Sequence, residues 1–150
     1  MKTNSVQPHK SSLGMDANLT VLLIYLSMNL FGWWNWACLL AVAGPIVFFI
    51  LEKNSRFVKF HAAQAVGIGA VWAGLGLILS VLRAVTRPRV IDWVYGVRGG
   101  WGAYAAIGLI STLVSLAFLA VAIYMVVTAW SYKEVELPII GPIARKAGNK

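Results

Sequence analysis

The chain reads as an all-α integral membrane bundle of four transmembrane or membrane-embedded helices, and three observations carry that reading. Of its 150 residues, 59% are hydrophobic and only 12% charged, against about 25% charged in soluble domains; the mean hydropathy is +0.74. The apolar residues gather in continuous runs, Ala17 to Leu51, Ala62 to Leu82 and Ala103 to Trp130, rather than alternating as barrel strands would. The basic residues behind a net charge of +8 stand between or beyond those runs, where anionic headgroups lie.

Residues 1–15 hold few large apolar side chains and read as a disordered tail. A membrane domain follows over 16–132. Its first apolar run is too long for one span of about 20 residues and is interrupted by ‘FGWWNW’ at 31–36. Gly32 permits a turn and the tryptophans suit a membrane–water interface, so the run divides into a hairpin of helices over 18–31 and 34–51. Asp16 and Asn18 can cap the first of these. Gly44 and Pro45 predict a kink in the second, either a passive bend or a hinge with an opened carbonyl.

A third helix is expected over 57–82. Ala63, Gly67, Ala70 and Gly74 recur at helical spacing, with Ala65, Gly69 and Ala73 on an adjoining face, so this helix belongs in the middle of the bundle. The fourth, over 103–130, carries Gly108, Ser111, Thr112 and Ser115, either a packing face or a polar conduit. The loop between them, with Arg87, Arg89, Arg98 and four turn-forming residues, Pro88, Gly96, Gly99 and Gly100, reads as interfacial, anchored by Trp93, Tyr95 and Trp101, with Asp92 paired to a neighbouring arginine. Residues 133–150 form an interfacial tail, in which Pro138 and Pro142 prevent a continuous helix. Ile139, Ile140 and Ile143 are expected against the membrane or the bundle end, and Arg145 and Lys146 at lipid phosphates.

Basic residues favour the cytoplasmic side of short loops. With four segments, Lys2, Lys10, Lys53, Arg56, Lys59, Lys133, Arg145, Lys146 and Lys150 share one side, and Arg83, Arg87, Arg89 and Arg98 the other, nine against four. Both termini are therefore placed in the cytoplasm of a multi-pass protein, with the bacterial inner membrane as the expected location.

Function is bounded mainly by exclusion. The single cysteine, Cys38, lies in an apolar run and rules out an intrachain disulfide or a cysteine-rich metal site. The spans contain no acidic residue, and no nucleophile has an evident base, so no catalytic, cofactor or metal residues are assigned and the protein is not read as an enzyme. No soluble segment is long enough to fold into a nucleic-acid-binding face. The ‘AVA’ at 41–43 imitates a signal-peptidase site, but hydrophobicity resumes directly afterwards and no cleaved signal is read.

The most informative stretch is ‘LEKNSRFVKFHAAQA’, 51–65, a polar corner between the second and third helices. Glu52 and Lys53 end one helix, Asn54 or Ser55 can cap the next, and Arg56 and Lys59 can reach headgroups. His61 and Gln64 remain, one turn apart at the threshold of the hydrocarbon, and should point inward.

‘GPIVFFILEKNSRFVKFHAAQA’, two further apolar spans and the closing ‘YKEVELPIIGPIARK’ together resemble small bacterial membrane proteins of unknown function related to the twenty-kilodalton subunit of the chloroplast inner-envelope translocon, the Tic complex. The positions that carry the resemblance include Gly44, Pro45, Phe57, Phe60, His61 and Gln64. It implies a four-helix membrane fold and a role in protein translocation or membrane-protein assembly. The leading expectation is a non-enzymatic scaffold or translocon-like subunit acting through helix contacts, with the bilayer, anionic lipids and either protein partners or a second copy on its Gly/Ala faces. The alternative is a small channel or transporter component whose polar path begins at His61 and Gln64 and passes Ser111 and Ser115.

Overall fold

The structure, a computed structural model, describes residues 3–32, 40–88 and 100–148. In chain order it comprises β1 (Thr3–Ser5), α1 (Ala17–Gly32), α2 (Leu40–Leu51), α3 (Arg56–Thr86), α4 (Trp101–Trp130), β2 (Lys133–Val135) and α5 (Ile140–Gly148). The tryptophan turn at 33–36, Cys38 and most of the arginine loop, with its Asp92 pairing, lie outside the described residues.

Helices α3 and α4, of 31 and 30 residues, are long and apolar enough to cross a membrane. At about 1.5 Å per residue each is some 45 Å long, against a hydrocarbon core of about 30 Å. They run antiparallel: Thr86 lies beside Gly100, the Arg83 guanidinium sits 5.2 Å over the Tyr104 ring, and Trp72 stacks on Phe118 with centroids 5.6 Å apart. Ser111 and Thr112 donate to carbonyls of their own helix, Ile107 and Gly108.

Helices α1 and α2 are shorter, with 16 and 12 described residues. Ala41, near the start of α2, meets α3 at Gly69, while the other end of α2 joins α3 at the corner, so α2 accompanies only the first half of α3. Proline explains that meeting. Pro45 has no N–H to offer the Ala41 carbonyl one turn back. A Cβ at Gly69 would stand 3.1 Å from that oxygen, so the carbonyl freed by Pro45 faces α3 backbone that only glycine brings so near. Of the sequence's two readings of Pro45, the opened carbonyl is thus packed against the neighbouring helix, as a passive bend absorbed by packing would have it.

The buried core gathers at one end. Val21, Ile24, Tyr25 and Met28 of α1, Ala41 of α2, Phe57 to Trp72 of α3 and Ala122, Met125 and Ala129 of α4 form one cluster. Farther along, α3 and α4 are bare, with Val81 61%, Val85 79%, Leu109 62% and Leu113 57% exposed.

The tails pack around the buried end. The disordered tail expected over 1–15 is corrected by β1, which pairs antiparallel with β2 in the register Thr3↔Val135, Asn4↔Glu134 and Ser5↔Lys133. Backbone pairing of Lys10 with Asp16, and a turn in which Gly14 adopts φ +80, bring the chain into α1. Among the described residues the fold is thus helical apart from one two-stranded sheet, and that sheet sets both tails on the same side of the molecule. Its order comes from backbone pairing and polar contacts, which need no apolar content in the tail itself.

The closing segment also departs from expectation. Pro142 stands in the first turn of α5, where its missing N–H has no helical acceptor to lose, so it starts that helix instead of blocking it. Before it, Ile140 N–H donates to the Pro138 carbonyl at 2.9 Å, leaving Ile139 at φ +74. A β-branched residue there is strained, yet Ile139 is 82% exposed.

Candidate functional site: the capped helix corner

One carboxylate closes the corner between α2 and α3. Glu52 is buried, and its oxygens accept hydrogen bonds from the backbone N–H groups of Ser12 at 3.0 and 3.1 Å, Asn54 at 3.1 Å and Ser55 at 2.9 Å, and from the Ser12 hydroxyl. Ser12 Oγ in turn accepts from the Lys53 and Asn54 amides at 3.0 and 2.9 Å. Burial pushes the Glu52 carboxyl up, but these hydrogen bonds to its ionised form outweigh burial and hold it below the usual carboxylate range.

Ser55 caps α3, accepting from Val58 N–H at 3.2 Å as its sequence position suggests. Its hydroxyl also meets His9 Nε2 at 2.6 Å. His9 Nδ1 lies 2.9 Å from the Gln7 carbonyl, which can only accept; that nitrogen therefore carries the proton, and in the neutral ring Nε2 accepts from Ser55. The His9 ring also packs edge-on to Phe57 and beside Tyr132.

His61 and Gln64 point inward, both fully buried. The His61 ring is held among Phe57, Phe60 and Tyr25, with centroids at 4.7, 5.3 and 6.2 Å. Gln64 Nε2 donates to the Val135 carbonyl at 3.1 Å, tying α3 to β2. Tyr25 Oη, both His61 ring nitrogens and Gln64 Oε1 have no hydrogen-bond partner among the described residues. The Lys133 backbone lies beside the imidazole without reaching normal hydrogen-bond geometry.

Arg145 corrects an expectation. Its guanidinium turns inward, pairing through Nε with Glu136 and through Nη2 with Glu134 at 3.4 Å, and lies 5.3 Å over the Phe60 ring. The Asn4 amide oxygen, turned toward it, accepts at 3.2 and 3.3 Å. Arg145 is therefore engaged by two carboxylates of its own tail and reaches the N-terminal strand through Asn4, instead of standing unpaired toward lipid phosphate. Burial raises the Glu134 carboxyl and neighbouring Glu136 raises it further, while Arg145 pulls it down; the net shift is upward. Lys59 is half-buried, whereas Arg56 and Lys146 stay exposed. Gly44 and Pro45 sit apart from this corner, Gly44 against Ser27 of α1 and Pro45 buried within α2.

Sequence reading missed Tyr25, Ser12, His9 and Glu134. The β2 stretch carries little signal, since the apolar residues of ‘YKEVEL’ fall at 132, 135 and 137 and keep no period of two. None existed for Ser12, whose partners lie some forty positions away. Among the described residues, no three His, Cys, Asp or Glu side chains gather closely enough to hold a metal ion.

Two long apolar helices, a short apolar hairpin and a cap built from both tails define a small helical membrane protein. The chain belongs to the magnetosome magnetite crystal formation protein family, whose model matches residues 16–144. It is similar to two UPF0132 membrane proteins of the archaeon Methanocaldococcus jannaschii. One is 33% identical over 138 residues, covering 91% of this chain and 93% of the relative. The other is 25% identical over 135 residues, covering 90% and 72%. No solved structure matches.

Proposed function

We propose that the protein is a non-enzymatic membrane scaffold that acts through helix contacts, with both tails on the cytoplasmic side. The bare outer half of the α3–α4 pair carries this reading. The core ends near Trp72 and Ala122, and beyond it both helices present large apolar side chains together with exposed Ala70 and Gly74. Small residues let another helix approach closely within lipid. The family's description, magnetite crystal formation, fits a component that organises a membrane patch on which mineral grows. Translocation or membrane-protein assembly, implied by the corner motif, would use the same contacts and differs in what is held.

Photoreactive residues placed at Ile78 and Leu113 test the proposal in native membrane. A scaffold yields adducts of discrete mass at both positions, equal to two copies or to one copy with one defined protein. Lipid adducts alone at both positions would overturn it.

A small transporter component is the second reading, favoured by the unpartnered Tyr25, His61 and Gln64 atoms. Against it, Trp72 stacked on Phe118 stands between Gln64 and Ser111, and the Ser111 hydroxyl is held by its own helix. His61→Ala separates the two. In a scaffold it empties the aromatic cage and lowers stability by about 2 kcal/mol, seen as an earlier melting midpoint in detergent. Cellular function lost with an unchanged midpoint favours the transporter.

A further inference from the structure

We infer that the protein holds one anionic phospholipid in a groove between α2, α3 and α5, its acyl chain in the groove and its phosphate at Arg56 and Lys59. The groove has a volume of about 320 Å³ and an almost wholly apolar lining that includes Ile46, Phe49, Ala63, Val66, Ile143 and Ala147. That is within the range of small-ligand pockets, about 300 to 1,000 Å³.

Placement and charge select the occupant. On α3, Arg56, Lys59, Ala63 and Val66 follow one another at helical spacing, so a single stripe passes from two cations onto the groove floor. Helix α5 runs back along this stripe: Ile140 packs on Gly67 and Gly148 lies against Lys59 and Phe60. Its basic end, with Lys146, thus returns to the level of the cations while its apolar end lies deeper. Arg56, Lys59 and Lys146 have no ion pair among the described residues, whereas Arg145 is committed to Glu134 and Glu136. An apolar slot entered past cations matches an anionic lipid, chain inward and headgroup outward. A second copy seated there about a two-fold axis would bring the same cations face to face.

The inference rests on the chain being membrane-embedded and is independent of what the outer α3–α4 face contacts. Its test is native mass spectrometry of the full chain released from nanodiscs containing equal phosphatidylglycerol and phosphatidylcholine. One phosphatidylglycerol per protomer should survive release, with phosphatidylcholine stripped. Arg56→Ala with Lys59→Ala should cut retention about thirtyfold, and Ala147→Phe, which fills the slot from α5, should cut it comparably with both cations intact. Melting in lipid-free detergent identifies any variant that misfolds, and the other variant then decides. Equal retention of both lipids, or retention unchanged in the folded variants, overturns the inference, as does an acidic peptide or protein recovered in the groove instead.

Discussion

Glu52→Ala should lower stability by about 3 kcal/mol and detach the N-terminal tail, because it strands several donors at once. The amides of Ser12, Asn54 and Ser55 all end on this carboxylate, and each buried donor left without an acceptor costs about 1 to 3 kcal/mol. Solvent reaching the opened corner recovers part of that sum. Glu52→Gln keeps an acceptor oxygen and should lose roughly half as much. Limited proteolysis reads the consequence directly: cleavage within residues 7–15 should accelerate in the alanine variant and stay slow in the parent.

Acid should act on the same contact. The folded-state pKa of Glu52 is depressed, so its stabilisation is complete above the unfolded carboxylate value of about 4.3 and is lost as pH falls through the lower folded value. Glu134 has the opposite sign. Its raised pKa penalises the charged form at neutral pH, and that penalty is relieved as the group protonates. Glu52→Ala should therefore lose less stability on acidification than the parent does, because the Glu134 contribution that remains runs the other way. A parent and variant that decline in parallel between pH 5 and 3 would refute the assignment.

How much of this was legible in the sequence follows the range of each interaction. Local signals served well: the apolar runs placed α3 and α4, the cap of α3 was narrowed to Asn54 or Ser55, of which Ser55 serves, and the polarity of His61 and Gln64 at the threshold of an apolar run implied that both point inward. Gln64 then finds its acceptor at Val135, on a strand from the opposite end of the chain. That strand exists only because the two tails pair, and tails poor in apolar residues read as loose when each is taken alone. Arg145 failed for a related reason. A basic residue after a membrane span suggests phosphate, and nothing local reveals that Glu134 and Glu136 fold back onto it. Proline was half legible, since the broken hydrogen bond follows from Pro45 itself, while the Gly69 backbone that covers the freed carbonyl is a tertiary fact.

The other large effect is expected at Gly44. A Cβ there would lie 2.7 Å from Ser27 Cβ and closer still to its hydroxyl oxygen, which is held by the Ile24 carbonyl at 2.8 Å. Neither helix can simply step aside, because α1 is fixed by Val21, Ile24 and Met28 in the core and α2 by Ala41 against Gly69. Gly44→Val should therefore force the α1–α2 hairpin apart at a cost near 3 kcal/mol, the upper end of the usual overpacking range. Gly44→Ala should cost about 1 to 2 kcal/mol, since a single methyl needs less room. Ser27→Gly removes the atoms that collide and should restore most of the Gly44→Ala loss, a coupling that melting of the two single variants and the double variant in detergent measures directly. If Ser27→Gly and Gly44→Ala add without coupling, the two helices do not meet at these residues, and the packing that sets α2 against α3 through Pro45 and Gly69 would have to be redrawn.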